Sequence, residues 1–291
     1  MSRMLRMEDA PPRLRRSGIR LNGRQRAVGF MLLTALFILG IVLCSLLLGV
    51  ESMAVQLEQR NLAPSWDHPF GTDWLGRDMF TRTVKGLALS MGVGLIAAGS
   101  SAVIAAVMGL AAATMGNTAD RLISWLIDLF LSVPHLVTLI LLAFVSGGGM
   151  KGIIIGVAFT HWPSLARVIR AEMLQLRTSE YVQISRRLGK SRWWVATRHM
   201  VPHLVPQLFV GLLLLFPHAI LHEAGVTFVG LGLSPHQPAI GIILSESMRY
   251  LSTGMWWLAL FPGLSLLLVV RAFDVLGGSL RAMLDPHRSR L

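Results

Sequence analysis

A single cysteine, Cys44, is all the thiol this 291-residue chain holds. One thiol excludes an intrachain disulfide and any metal site built on several cysteines. Charge is scarce too: charged residues make up 14% of the chain, against about 25% in average globular domains. Acids are scarcer than bases, 15 against 27, which leaves a formal net charge of +12. Two enzyme patterns also fall short. His222-Glu223 begins like a zinc-protease helix, but Val226 stands where the second histidine belongs. Gly189-Lys190-Ser191 mimics the end of a phosphate-binding loop, yet Ile184 occupies the place of its first glycine. Neither zinc proteolysis nor nucleotide binding is expected of the chain itself.

Apolar residues are abundant, 53% of the sequence, and the mean hydropathy is +0.60. These values describe a chain solvated mostly by lipid. A helix needs about 20 apolar residues to cross a bilayer. Six windows are read as spans: 28–50, 85–114, 122–145, 152–169, 207–224 and 256–270. The first is longer than the apolar core of a signal peptide, about 7–15 residues, and is read as a retained span. The second carries Gly92, Gly94, Gly99 and Gly109, small residues that let helices approach closely in lipid. His161, Trp162 and Pro163 interrupt the fourth, which predicts a kink.

The bases are not scattered. They crowd the N-terminal tail (Arg3 through Arg26), the loop between the fourth and fifth windows (Arg167 through Arg198), and the C-terminal end. Only Arg60, Arg77, Arg82, Lys85, Lys151 and Arg249 fall on the opposite side. The positive-inside rule then places both termini and the crowded loop in the cytoplasm. The net charge reads as a topology signal, and nucleic acid is not an expected partner. The resulting layout is a cytoplasmic tail (1–27), a first span (28–50), a periplasmic loop (51–84), a transmembrane core (85–276) with a basic loop (172–206), and a cytoplasmic tail (277–291).

The basic loop contains the most informative stretch, EYVQISRRLGKSRWWVATRHMVPHLVP at 180–206. Residues 178–190 read as a helix, with Thr178 or Ser179 as N-cap, Glu180 in the first turn, and Gly189 ending or bending it. Tyr181, Ile184 and Leu188 recur at three and four residues and form one apolar face. A second short helix is expected over 191–199, with Pro202 and Pro206 marking the start of the fifth span. Such a helix either docks in a groove of a cytoplasmic partner or lies on lipid headgroups, anchored by Trp193, Trp194 and its arginines.

This stretch resembles the cytoplasmic loop of ABC importer permeases of the peptide/nickel family, through Glu180, Tyr181, Val182, Arg186, Gly189, Ser191, Arg198, His199 and Pro202. Gln183, Ile184 and Ser185 depart from the wider importer motif, while Gly189 is kept. HPFGTDWLGRD at 68–78 resembles the signature before that family's second span, through His68, Gly71, Asp73, Gly76, Arg77 and Asp78. Asp73, Arg77 and Asp78 are expected to form a local ion-pair network, with positive φ at Gly71 and Gly76. Gly116, Asp120, Asp128, Ser132 and Pro134 match around the third span; Asp128, a carboxylate in or near the membrane, is read as a functional candidate or as a helix-end residue paired with Arg121 or capped by water. Further matches are FVGLGL at 228–233, WLALFPG at 257–263, and Asp274, Gly277, Leu280, Arg281, Leu284, Asp285 and Pro286.

The resemblance implies an all-α membrane protein with six transmembrane helices and the type I ABC importer permease fold. It implies a non-catalytic subunit of a bacterial inner membrane. Its partners would be a second homologous permease, two ATP-binding subunits that hold the ATP and Mg, and an external substrate-binding protein. The ATPase would grip Glu180, Tyr181, Val182, Ile184, Arg186, Arg187, Leu188, Gly189, Ser191, His199 and Pro202. His161, His218, His222 and Glu223 are candidates for the translocation path; His218 and His222 share a helix face, though no metal site is assigned to them. His161-Trp162 and LHEAG at 221–225 look closer to nickel-type permeases and favour nickel or a metal chelate as cargo. Import of di- or oligopeptides is the alternative within the family. Hydropathy alone also leaves open a secondary transporter or channel.

Overall fold

A computed structural model describes residues 23–49 and 51–284. Most of the expected N-terminal tail, Val50, and Asp285 and Pro286 lie outside the described residues. Ten α-helices follow in order: α1 (Gly23–Leu47), α2 (Met79–Thr114), α3 (Asn117–Ser132), α4 (His135–Val145), α5 (Gly149–Arg177), α6 (Glu180–Arg187), α7 (Arg192–Val195), α8 (Val201–Phe228), α9 (Ile240–Met248) and α10 (Trp257–Leu284). A π-helical turn, Ala196–Met200, joins α7 to α8. Among the described residues the only β-pairing is an isolated bridge between Thr72 and Asp78. Five helices or helix runs are long and apolar enough to cross a membrane, and six if the α3–α4 pair counts as one span.

Several expected boundaries move, each for a local reason. The second span begins at Met79, because the Asp78 carboxylate accepts the Thr81 N–H at 2.8 Å and caps the helix there. The third is not one rod. It bends by 97° between α3 and α4, where Val133 is extended before Pro134. Pro163 does not end the fourth, which runs unbroken as α5. The fifth begins far upstream of 207, since α7, the π turn and α8 form a single run, Arg192–Phe228. Its 37 residues amount to a rod about 55 Å long. The second short helix expected over 191–199 is therefore the start of this rod, and Pro202 lies just after the π turn without ending the run. The sixth extends to Leu284, so residues 277–284 are helix and not tail.

α2 is the central element and packs along α5 and α8. Small residues make this possible. A Cβ on Gly109 would lie 2.6 Å from Ile169 Cγ2 and 3.0 Å from the Ala166 carbonyl; one on Gly94 would lie 2.8 Å from Ile220 Cγ1. Gly92 and Gly99 face open space and take no part in the close approach. α1 lies against α10 and α2 on the outside, with Leu32, Leu33, Leu36 and Leu46 exposed on its outer surface. Water would penalise that surface at about 25 cal/mol per Å², whereas lipid does not.

The buried residues form two clusters. One joins the N-terminal half of α2 to α9, α10 and the C-terminal half of α8. The other joins the C-terminal half of α2 to α3, α5, the π turn and the start of α8, and includes Val182 of α6.

Beyond the first cluster, the loop before α2 is closed by an ion network. Asp73 Oδ2 accepts from Arg77 Nε at 2.7 Å and from Arg82 Nη1 at 2.6 Å. Both arginines also reach Glu246 Oε2 on α9, at 3.3 and 3.0 Å. Asp73 Oδ1 accepts the backbone N–H groups of Leu75 and Arg77. Asp78 is not part of this network, contrary to expectation; it pairs with His68 Nδ1 at 3.1 Å while capping α2. Gly71 and Gly76 do take positive φ, +72° and +73°. At the other end, Asp128 pairs with Arg167 of α5 at 2.6 Å rather than with Arg121. Asp120 pairs with Arg170, including a 2.8 Å bond from Nη2 to Oδ2. Two arginines counted as loop charge thus tie α3 to α5.

Gly109→Leu should destabilise the chain by about 1–3 kcal/mol through overpacking, while Gly99→Leu should not. Thermal melting of the detergent-solubilised chain distinguishes them. Arg82→Ala removes the more deeply buried of the two cations that Asp73 and Glu246 share, leaving Arg77 in place, and should cost about 1–3 kcal/mol. Asp67→Asn, at an exposed position of the same loop, should leave the melting point unchanged.

Candidate functional site

Residues 178–200 form a compact feature at the end of the bundle where α2 stops. α6 follows α5 after a two-residue break, with Ser179 as N-cap residue and Glu180 exposed in the first turn. Ser179 caps by position only; its Oγ donates back to the Leu176 carbonyl. The helix ends at Gly189, φ +79°, where Lys190 N–H reaches the Ser185 carbonyl and Gly189 N–H the Arg186 carbonyl. That pairing is the Schellman arrangement, which places a left-handed residue at the glycine.

The two faces of α6 differ. Val182 is fully buried in the second core cluster, so it anchors the helix and offers no surface to a partner. Tyr181, Ile184 and Leu188 are exposed, Ile184 at 56% and Leu188 at 73%. Trp193 extends this apolar surface from α7 at 77% exposure. His199 points back into the feature: its Nε2 lies 3.0 Å from Ser185 Oγ, and its ring meets Tyr181 and Trp194 edge to face. Ser191 caps α7 by accepting the Trp194 N–H, and Lys190 lies over the Trp194 ring at 5.1 Å. Arg187 and Pro202 are exposed. Partial burial, with repulsion from Arg177 and Arg192, lowers the Arg186 pKa from the usual arginine value. Arg177 donates to the Ala113 carbonyl and Arg192 to the Met115 carbonyl, so two cations sit at the C-terminal end of α2.

Deeper in the bundle lies a cavity of about 530 Å³, lined by His161, Ser164, Glu172, Gln207, His218 and Arg281 among others. The candidate path residues do not all converge. His161 and His222 come together, with ring centroids 5.0 Å apart. His218 lies one turn away, lining the cavity, with its Nδ1 at 3.1 Å from the Leu214 carbonyl. Glu223 turns to the opposite side, fully buried, and accepts from Thr227 Oγ1 at 2.9 Å. The residue that completes the group is His135, 4.5 Å from the His161 ring and 4.7 Å from the His222 ring. Sequence reasoning missed it because 122–145 read as a continuous span, which places position 135 anywhere around a rod. Pro134, directly before it, was the available signal. Glu246 was missed likewise, since it reaches Arg82 across 164 positions of chain.

Over residues 103–290 the chain matches the family described as binding-protein-dependent transport system inner membrane component. It is 33% identical over 263 residues to the dipeptide transport system permease protein DppC of Bacillus subtilis (strain 168), covering 90% of this chain and 82% of that one. It is 35% identical over 268 residues to a putative peptide permease protein of Brucella suis biovar 1, covering 92% and 88%. Its fold matches a chain of the MetNI methionine ABC transporter in an inward-facing conformation, with a TM-score of 0.59 at 18% identity over 71% of this chain and 98% of that one. The expected all-α, type I importer permease fold is therefore present. These relatives carry peptide names, so the nickel preference drawn from 161–162 and 221–225 gains no support from them. The chain belongs to the family of inner-membrane permease components of binding-protein-dependent transport systems.

Proposed function

We propose that this chain is one of a pair of permease subunits in an ATP-driven importer, and that its cargo is a short peptide. The observation that carries the coupling role is the two-faced α6: one side locked into the core through Val182, the other an exposed apolar ridge of Tyr181, Ile184 and Leu188. A helix that merely covered the core would not leave that ridge bare. An ATPase subunit with an apolar cleft supplies the complement, and Arg186, Arg187 and Lys190 beside the ridge suit an acidic rim.

The geometry also indicates how a push would travel. α6 bonds to the π turn through Ser185 and His199, and that turn continues into α8 without a break. Movement of the ATPase pair on ATP binding would swing the rod from Arg192 to Phe228 as a lever. His218 and His222 ride on that rod, and His161 sits on α5 across the cavity. Rocking of α8 against α5 would open and close the cavity, which is alternating access. Nucleotide and Mg would belong to two ATP-binding subunits. Cargo would arrive through a substrate-binding protein docked on the face closed by Asp73, Arg77, Arg82 and Glu246. In this orientation both termini are cytoplasmic, as the basic residues indicate.

Peptide cargo is supported by the names of the relatives. A second reading, a transition metal or its chelate, is favoured by the histidine group. A channel or secondary transporter is set aside by the family membership.

Replacing Gly189 by Trp puts a side chain at φ +79° and should lower transport-coupled ATPase activity at least about tenfold, roughly 1.4 kcal/mol, while membrane insertion persists. Wild-type coupling in that variant would refute the lever. Ile184→Asp with Leu188→Asp should abolish copurification of the ATPase subunits; retention of the complex would point to lipid as the surface this ridge meets. Uptake by a deletion strain separates the cargoes: loss of growth on dipeptides with unchanged nickel, cobalt and zinc accumulation confirms the peptide, and the reverse removes it.

A further inference from the structure

His135, His161 and His222 come from three different helices, α4, α5 and α8. One ring nitrogen from each lies within 4.8 Å of the other two. His161 is buried, and the other two are half-buried.

The protonation of His161 follows from its surroundings. Its Nδ1 is 3.1 Å from the Val157 carbonyl and 3.2 Å from Thr160 Oγ1, whose own proton goes to the Gly156 carbonyl, so both neighbours offer acceptors and Nδ1 carries the proton. Nε2 is then a bare lone pair, and among the described residues it is buried without a hydrogen-bond partner. His135 Nε2 is buried without one as well. Polar atoms left this way in an interior are costly. A cation placed among the three rings would give these unpartnered nitrogens a partner at once. The Nδ1–H bond to Val157 is the outer support that metal-binding histidines commonly have, fixing ring and tautomer.

We infer that His135, His161 and His222 form a binding site for a divalent first-row transition-metal ion. Nickel, cobalt, copper and zinc all suit imidazole nitrogen. Calcium and magnesium want oxygen ligands, and none is provided by this group: the adjacent carboxylate, Glu223, is turned to Thr227. Around a tetrahedral ion with bonds of about 2.0 Å, the nitrogens must sit about 3.3 Å apart. Small rotations of the rings close that distance from the present separation. Three ligands leave a coordination position open. His161 also lines the cavity, so the open position has room for water or for a donor atom of a carried chelator.

The location suits a site that forms and dissolves. His135 begins α4 directly after the 97° bend, and His222 rides on the α8 rod. Displacing either helix by an ångström or two separates the ligands, so coordination is tied to the conformation of the permease. The inference deepens the metal reading of the cargo and rests on it for its purpose; the site itself rests on the three side chains.

The test uses the full-length chain, purified with a non-histidine tag in nanodiscs and titrated calorimetrically with Ni²⁺, Co²⁺ and Zn²⁺ alone. One ion per chain is expected, with visible Co²⁺ absorption bands indicating nitrogen ligation. His135→Gln, His161→Gln and His222→Gln should each weaken binding about tenfold or more, while His236→Gln, at an exposed position outside the group, should not. Each variant's melting point shows whether it remains folded. Absence of binding by the wild type overturns the site, as does binding unchanged in all three single variants. Tight binding at these histidines in a chain whose cellular uptake is confined to dipeptides supports the site and refutes metal as cargo.

Discussion

In hydrocarbon no water is present to take a backbone hydrogen bond, so each N–H and C=O must find its partner inside the protein. Every long element here obeys that requirement as a helix. The constraint also makes the single exception informative. The chain leaves helical geometry at Val133 and Pro134, inside a stretch apolar enough to span. Irregular backbone at that depth is tolerated where it is shielded by protein or lines a cavity. Here α4 folds back onto α5 and carries His135 to His161.

Within that frame, close packing does what the hydrophobic effect does in water. Lipid tails are as apolar as leucine, so helices associate through contact and polar bonds instead. The α2–α5 and α2–α8 contacts depend on Gly109 and Gly94. The ends are tied by charge, with Asp73, Arg77, Arg82 and Glu246 at one and Asp120–Arg170 and Asp128–Arg167 at the other. Asp73 and Arg82 are almost fully buried, and the four-member network with Arg77 and Glu246 is what makes their burial tolerable. The middle of the bundle, where His135 and His161 lie between the two cores, has the cavity and fewer such ties.

Most of the helices were legible in the sequence because their signals are local. Apolar runs located the spans, and Gly189, directly after the last residue of the apolar face, Leu188, located the end of α6. Charge counting assigned the loops to faces by the positive-inside rule, and two residues it counted as loop charge, Arg167 and Arg170, are parts of α5 with carboxylate partners. The two-faced character of α6 was half visible. The spacing of Tyr181, Ile184 and Leu188 marked a face, yet nothing in it told that Val182 would be the buried anchor. The continuity of α7 with α8 was hidden by Pro202 and Pro206, which were read as marking the start of the fifth span and lie inside the continuous run.

What the amino-acid sequence determined by itself was the class of molecule, the rough position of its apolar helices, and a short amphipathic helix between two of them. These rest on interactions within a few residues, which periodicity and composition report directly. Only the tertiary structure decided which residues meet across helices. Glu246 joins Arg82, Asp128 joins Arg167, and His135 joins His161 and His222. The reason is geometric. A helix pattern specifies a face but not its rotation against its neighbours, and in a bundle that rotation is settled by small residues and by the bend at Pro134.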